Sequence, residues 1–124
     1  INLTDDKDEI LNKIKKAKTD PLPLPEEIKD LAGRPEAENL LGIYSSLKNQ
    51  KLENSINEFK RKNFSEFKDK LSESLIEKIE PISKEIKKLL SDEKFLDSIL
   101  LEGSVKADKI ASKKIKEMKE LVGF

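Results

Sequence analysis

Between Phe64 and Leu90 the apolar residues Phe67, Leu71, Leu75, Ile79, Ile82, Ile86 and Leu89 recur every three or four positions. That is the period of an α-helix with one buried face. Ser65 is a suitable N-cap, and at about 1.5 Å per residue the helix would run roughly 37 Å, the depth of a small domain. Pro81 removes one amide donor and crowds the carbonyl of Glu77, which predicts a kink near Glu77 to Glu80 and two packing surfaces. The shorter apolar stripes are expected to pack against this helix.

Those stripes follow in order along the chain. Thr4, Asp5 and Asp6, with Asp8 and Glu9 behind them, suit a helix N-terminus; Ile10, Leu11, Ile14 and Ala17 form one face, and the lysines up to Lys18 load its C-terminal end. Residues 20 to 25, DPLPLP, cannot be helical and form a connector. A short helical turn over Glu26 to Leu31 precedes a break at Gly33 and Pro35. Helices are predicted over Pro35 to Leu47, with Ala37, Leu40, Leu41, Tyr44 and Leu47 on one side, and over Leu52 to Lys62, with Leu52, Ile56 and Phe59 inward. Gly42, inside the first of these, marks an expected close approach of another backbone. Beyond the long helix, Ser91 and Asp92 can cap a helix carrying Phe95, Leu96, Ile99 and Leu100. Gly103 is expected to separate it from a last helix, Ser104 to Val122, with Ala107, Ile110, Ala111, Ile115, Met118 and Leu121 inward and Gly123 as its stop. The fold class is therefore all-α: one compact bundle of five to six helices, residues 1 to 124, around a long Pro-kinked central helix.

Composition narrows what such a bundle can do. The 124 residues carry 25 basic and 25 acidic side chains, so the global positive field that announces a nucleic-acid binder is absent and any such patch must be local. Only Arg34 and Arg61 are arginines. With no Cys and no His, thiol chemistry, an imidazole base and the usual zinc ligand sets are excluded. No apolar run approaches the roughly 20 residues of a membrane span.

Few residues carry chemistry. The carboxylate pairs Asp5 with Asp6 and Glu26 with Glu27 lack the pocket that acid–base work requires, and a cap explains the first pair. The four glycines are too scattered to cradle a phosphate. Tyr44 is expected in the core with its hydroxyl at the rim, stacking on a base being the other reading. The local exception is the last helix, where Ser104 to Lys119 holds six lysines against Asp108 and Glu117. At 100° per residue, Lys106, Lys109, Lys113 and Lys116 share one side, opposite the apolar face. Such a stripe can bind phosphate; it can equally be a solvated helix face, because lysine-rich usage runs through the whole chain. The run Lys60, Arg61, Lys62 is a second candidate contact, or simply cations drawn to a helix C-terminus.

The opening INLTDDKDEILNKIKKAKTD, the segment GRPEAENLLGIYSSL and the ending LLEGSVKADKIASKKIKEM resemble, in order and spacing, the C-terminal part of the tryptophanyl-tRNA synthetases of bacterial or organellar type. Two positions depart from that pattern: Lys51 stands where a serine often starts a helix, and the family's C-terminal arginines are mostly lysines. The resemblance implies that Ile1 lies just after a KMSKS-type loop, with the Rossmann-type catalytic domain outside these residues. It implies ligation of tryptophan to its tRNA with ATP and Mg²⁺ in the full-length, homodimeric, cytoplasmic enzyme, with this part alone inactive. The expected partners are tRNA(Trp), met near the anticodon through Lys106, Lys109, Lys113 and Lys116, and the catalytic domain of the same chain; membrane and DNA are not among them. The related tyrosine enzyme fits the LTDD, AENLLGIY and EGSVKADKIA words less well. A non-enzymatic helical interaction module is the reading from another class.

Overall fold

A computed structural model describes residues 1 to 123. Five α-helices follow one another with no strand among the described residues: α1, Lys7–Lys16; α2, Pro35–Lys48; α3, Leu52–Phe59; α4, Phe64–Ser91; and α5, Glu93–Val122. A 3-10 turn, Ile28–Leu31, stands before α2. The chain divides into two units, Ile1–Lys84 and the residues from Glu85 onward.

In the first unit the helices bury most of the stripe that their spacing defines; Leu11 of α1, expected on the inner face, is instead 36% exposed, and Ala17, Leu47 and Leu52 are half-buried. Asp6 caps α1, accepting from the Glu9 amide at 2.9 Å while the Glu9 carboxylate accepts from the Asp6 amide at 2.9 Å. At the other end of α1 the Lys68 ammonium donates to the Ala17 carbonyl at 2.6 Å. Ile10 and Ile14 of α1, Leu41 and Tyr44 of α2, Ile56 and Phe59 of α3, and Phe67 and Leu71 of α4 form one core. At its centre three rings meet edge to face: Tyr44 with Phe59 at 4.9 Å, Tyr44 with Phe67 at 5.8 Å, and Phe59 with Phe67 at 5.0 Å. Polar atoms inside are paired, as burial requires: the hydroxyls of Ser45 and Ser55 lie 2.7 Å apart, and Ser45 also donates to the Leu41 carbonyl at 2.7 Å.

Tyr44 is a core residue with its hydroxyl at the rim, donating to Glu58 at 2.9 Å. Burial, then the hydrogen bond to Glu58 and its negative charge, push the phenol up from 10.0 to about 12. Because the folded value is the higher one, the neutral phenol stabilises the fold fully below the free-tyrosine value, and this contribution is lost as pH rises through the folded value. Tyr44 is the only tyrosine and there is no Trp. A phenolate absorbance titration should therefore give one transition near pH 12, moved partway down by Glu58→Gln. A midpoint near 10 in the native protein would show the ring to be exposed.

Several local expectations are corrected. The N-cap of α4 is Asn63, whose Oδ1 accepts from the Glu66 amide at 2.9 Å, so Ser65 sits inside the first turn. The helix α3 stops at Phe59 and leaves Lys60, Arg61 and Lys62 outside it. The connector causes this: the Leu24 amide donates to the Lys62 carbonyl at 2.9 Å and the Arg61 amide to the Leu24 carbonyl at 3.4 Å, drawing the chain out of helical register. Gly42 faces no other backbone, since a methyl group there would meet nothing within 4 Å. Past Ile79 the buried side of α4 passes to Ser83, which donates to the Thr4 carbonyl at 3.1 Å, and Ile82, expected on the apolar face, is 44% exposed; Pro81 lies inside the helix.

In the second unit Asp92 alone interrupts the helical run; its side chain accepts from the Phe95 amide at 3.0 Å and starts α5. The two helices expected on either side of Gly103 are one. A lone glycine costs about 1 kcal/mol in a helix, and the good helix formers on both sides outweigh it. Gly123 ends α5 as predicted, in the left-handed region at φ 82°, its amide donating to the Lys119 carbonyl. Within the second unit, taken by itself, the inward face expected for this helix finds no cover: no residue of α5 is buried, and Ile110 and Leu121 are 70% and 86% exposed.

Candidate nucleic-acid interface

The continuity of α5 fixes the arrangement of its lysines. Lys106, Lys109, Lys113 and Lys116 lie on one uninterrupted helix, within about 80° of arc and about 15 Å of axis at standard helical geometry. All four are exposed. The ammonium of Lys106 is paired with Glu102, one turn earlier on the same side. Among the described residues Lys109, Lys113 and Lys116 make no ion pair, whereas Lys114, off the stripe, pairs with Glu117 at 2.7 Å. The stripe is thus a row of exposed ammonium groups with one internal counter-ion, suited to point-charge contact with phosphates and not to bidentate base reading.

The second basic candidate divides into structural parts. Arg61 adopts a left-handed backbone at φ 62° and grips Glu26 through two hydrogen bonds of 2.8 and 3.0 Å, holding that carboxyl below its usual range. Lys62 stands over the Phe59 ring at 5.5 Å. The acidic pairs are likewise occupied. Asp6 is the α1 cap, Glu27 pairs with Lys29 at 2.7 Å, and Asp5, almost fully buried, accepts from Lys13 and from the Asn2 amide, which together hold its carboxyl low. Among the described residues no three acidic side chains converge on a point that could hold a metal ion.

Of the charged pairs that sequence reasoning did not foresee, one is held by a largely buried arginine. Arg34 donates to both oxygens of Asp20, at 2.9 and 2.8 Å, and to the Pro23 carbonyl at 2.9 Å, while its guanidinium stands 5.9 Å from the Phe64 ring centre. The only two arginines of the chain therefore clasp the two ends of the proline connector, Arg34 at Asp20 and Arg61 at Glu26. Their scarcity among 23 lysines was the available signal, because a planar fork is what a bidentate clasp needs.

No protein-family model matches the chain. Curated relatives do, over its full length: the tryptophan–tRNA ligase of Agrobacterium fabrum is 45% identical over 124 residues, that of Caulobacter vibrioides 44% and that of Rickettsia felis 44%. The chain resembles the C-terminal part of tryptophan–tRNA ligases. It spans 35%, 36% and 37% of those three ligases, about a third of their length. Every residue of the core and of the lysine stripe lies inside the matched region, so the resemblance to the ligases extends across both structural units.

Proposed function

We propose that these residues are the C-terminal helical part of a tryptophan–tRNA ligase and that α5 holds the anticodon arm of tRNA(Trp) by its phosphates. The observation that carries this reading is the one-sided row of Lys106, Lys109, Lys113 and Lys116 in a chain of zero net charge that matches the ligases from end to end. In the full-length, cytoplasmic and homodimeric enzyme that this implies, ATP and Mg²⁺ are substrate and cofactor of the tryptophan-activating step. The described residues fit neither: they bring no cluster of acidic side chains together, and the four glycines form no phosphate cradle. On this reading activation belongs to the portion of the ligase outside this chain, and the helical part contributes affinity and placement of the tRNA.

The test replaces Lys106, Lys109, Lys113 and Lys116 by Gln in the full-length enzyme and follows tRNA binding against salt. Every lysine–phosphate interaction that the substitutions remove should flatten the log–log salt slope by about 0.7 to 0.9. Tryptophan-dependent exchange of pyrophosphate into ATP should stay near wild type. An unchanged slope and affinity would make the stripe a solvated helix face. Weakened activation with unchanged tRNA affinity would move its role to the catalytic step.

A further inference from the structure

Between α1 and α4, inside the first unit, runs a groove of about 580 Å³, the size class of a small-ligand site. Its apolar lining is Phe64 and Leu11, and the opening of the groove accounts for the exposure of Leu11 on a stripe whose period points inward. Its polar lining includes Lys15, Lys68, Asp69 and Ser72.

The fold does not satisfy these groups. Lys68 is half-buried and caps the end of α1, donating to the Ala17 carbonyl at 2.6 Å and to the Lys15 carbonyl at 3.4 Å. Carbonyls occupy two of its three donors but supply no counter-charge, and among the described residues neither Lys68 nor the exposed Lys15 has a carboxylate within ion-pair distance. Ser72 is only 3% exposed, yet its hydroxyl has no hydrogen-bond partner among the described residues. No fully enclosed polar side-chain atom among them is left unpaired, so that hydroxyl opens to the groove it lines. A buried serine in a helix can bond back to the carbonyl four residues earlier, as Ser45 does to Leu41; Ser72 does not, and keeps its donor for what enters the groove.

Two ammonium groups, a free hydroxyl and one carboxylate describe a ligand with an anionic end and a hydroxyl beside it. Two lysines against one aspartate leave a single positive charge, which suits a phosphodiester better than the several charges of a free nucleoside triphosphate. Asp69 repels a second anionic group but can accept from a sugar hydroxyl, and Leu11 with Phe64 gives the sugar or base an apolar surface. We propose that this groove takes one ribose phosphodiester unit of an RNA strand, with Lys15, Lys68 and Ser72 donating to its phosphate oxygens and its 2′-hydroxyl donating to Asp69. This rests on the reading of the chain as part of a tRNA ligase, but not on the α5 stripe. It gives the first unit a contact that tells ribose from deoxyribose, which a row of lysines cannot do.

The experiment uses the full-length enzyme, a tRNA(Trp) transcript and an all-deoxyribose strand of the same sequence. Lysine acetylation is read by mass spectrometry with and without tRNA or millimolar AMP, and binding is measured against salt for Lys15→Gln, Asp69→Asn and Ser72→Ala; Lys68 is kept because it caps α1. Acetylation of Lys15 should slow severalfold with tRNA, and Lys15→Gln should flatten the log–log salt slope by about 0.7 to 0.9. Asp69→Asn should lower the preference for the ribose strand by about five- to tenfold, and Ser72→Ala should weaken tRNA binding about threefold at an unchanged slope. Lys15 acetylated equally fast with and without tRNA, or a ribose preference that Asp69→Asn leaves intact, would overturn the proposal. Protection of Lys15 by AMP and not by tRNA would overturn it in favour of a free-nucleotide site. Normal tRNA binding by the four-lysine α5 variant, with the Lys15→Gln slope still flattened, would leave the groove standing and remove the α5 contact alone.

Discussion

Phe67→Ala is expected to lower the unfolding free energy of the chain by about 3 to 5 kcal/mol, the usual range for emptying a closed aromatic site. Phe67 is fully buried and touches both other rings of the core, so its removal costs the transfer of the ring, leaves a cavity and breaks two edge-to-face pairs at once. Those pairs are worth about 0.5 to 1.5 kcal/mol each beyond area burial, so Phe67→Leu, which keeps much of the volume, should lose about 1 to 3 kcal/mol. Leu22, 56% exposed in the connector, sets the baseline: Leu22→Ala should stay within about 0.5 kcal/mol. Urea unfolding followed by helical ellipticity measures all three. Equal, small effects at Phe67 and Leu22 would mean that α2, α3 and α4 do not close around that ring. Because the same cluster buries Tyr44, Phe67→Ala should also bring the phenol's alkaline transition down from near 12.

The contrast between Phe67 and α5 shows which part of the fold is legible in a sequence. Period fixes which residues of a helix share a side, and in α1, α2, α3 and the first part of α4 that side is largely buried as predicted, Leu11 at the edge of the α1 stripe being the exception. In α5 the period is equally clear, but it states only that one side is apolar, and within the second unit that side finds no cover. Boundaries were less legible because they are decided by single hydrogen bonds. Asn63 displaced Ser65 as the cap of α4, and the Leu24 backbone pulled Lys60 to Lys62 out of α3. Glycine misled twice: Gly42 and Gly103 both sit in intact helices with open space around them. The lysine stripe could be read from spacing alone, since one helix face is a local property. The Arg34–Asp20 clasp could not, because its partners are 14 residues apart and meet only through the path of a connector with no period.

That clasp carries the second large expected effect. Arg34→Ala should destabilise the chain by about 2 to 3 kcal/mol, the scale of hydrogen bonds to a charged group together with a modest cation–π contact. The side chain is largely buried, at 12% exposure, and it serves three partners: Asp20, the Pro23 carbonyl and the Phe64 ring. Arg34→Lys separates charge from shape. An ammonium keeps the attraction but cannot span both oxygens of Asp20 while reaching Pro23, so most of the loss should persist. Asp20→Asn gives the pH dependence. The hydrogen bond from Arg34 is the main cause holding the Asp20 carboxyl below the usual aspartate value of 3.8, against the opposing effect of burial. A carboxyl with a depressed folded value binds protons more readily when unfolded, so it stabilises the fold above the ordinary value, and that contribution is lost as pH falls through the folded one. Stability of the wild type should therefore decline below about pH 4, more steeply than in Asp20→Asn, with Asp5, Glu26, Glu36 and Glu80 supplying the remaining slope. A double-mutant cycle of Arg34→Ala with Asp20→Asn should give a coupling above about 1 kcal/mol. Additive single effects, or a wild-type acid limb no steeper than that of Asp20→Asn, would mean that the connector is held by its backbone contacts with Lys62 and not by the guanidinium.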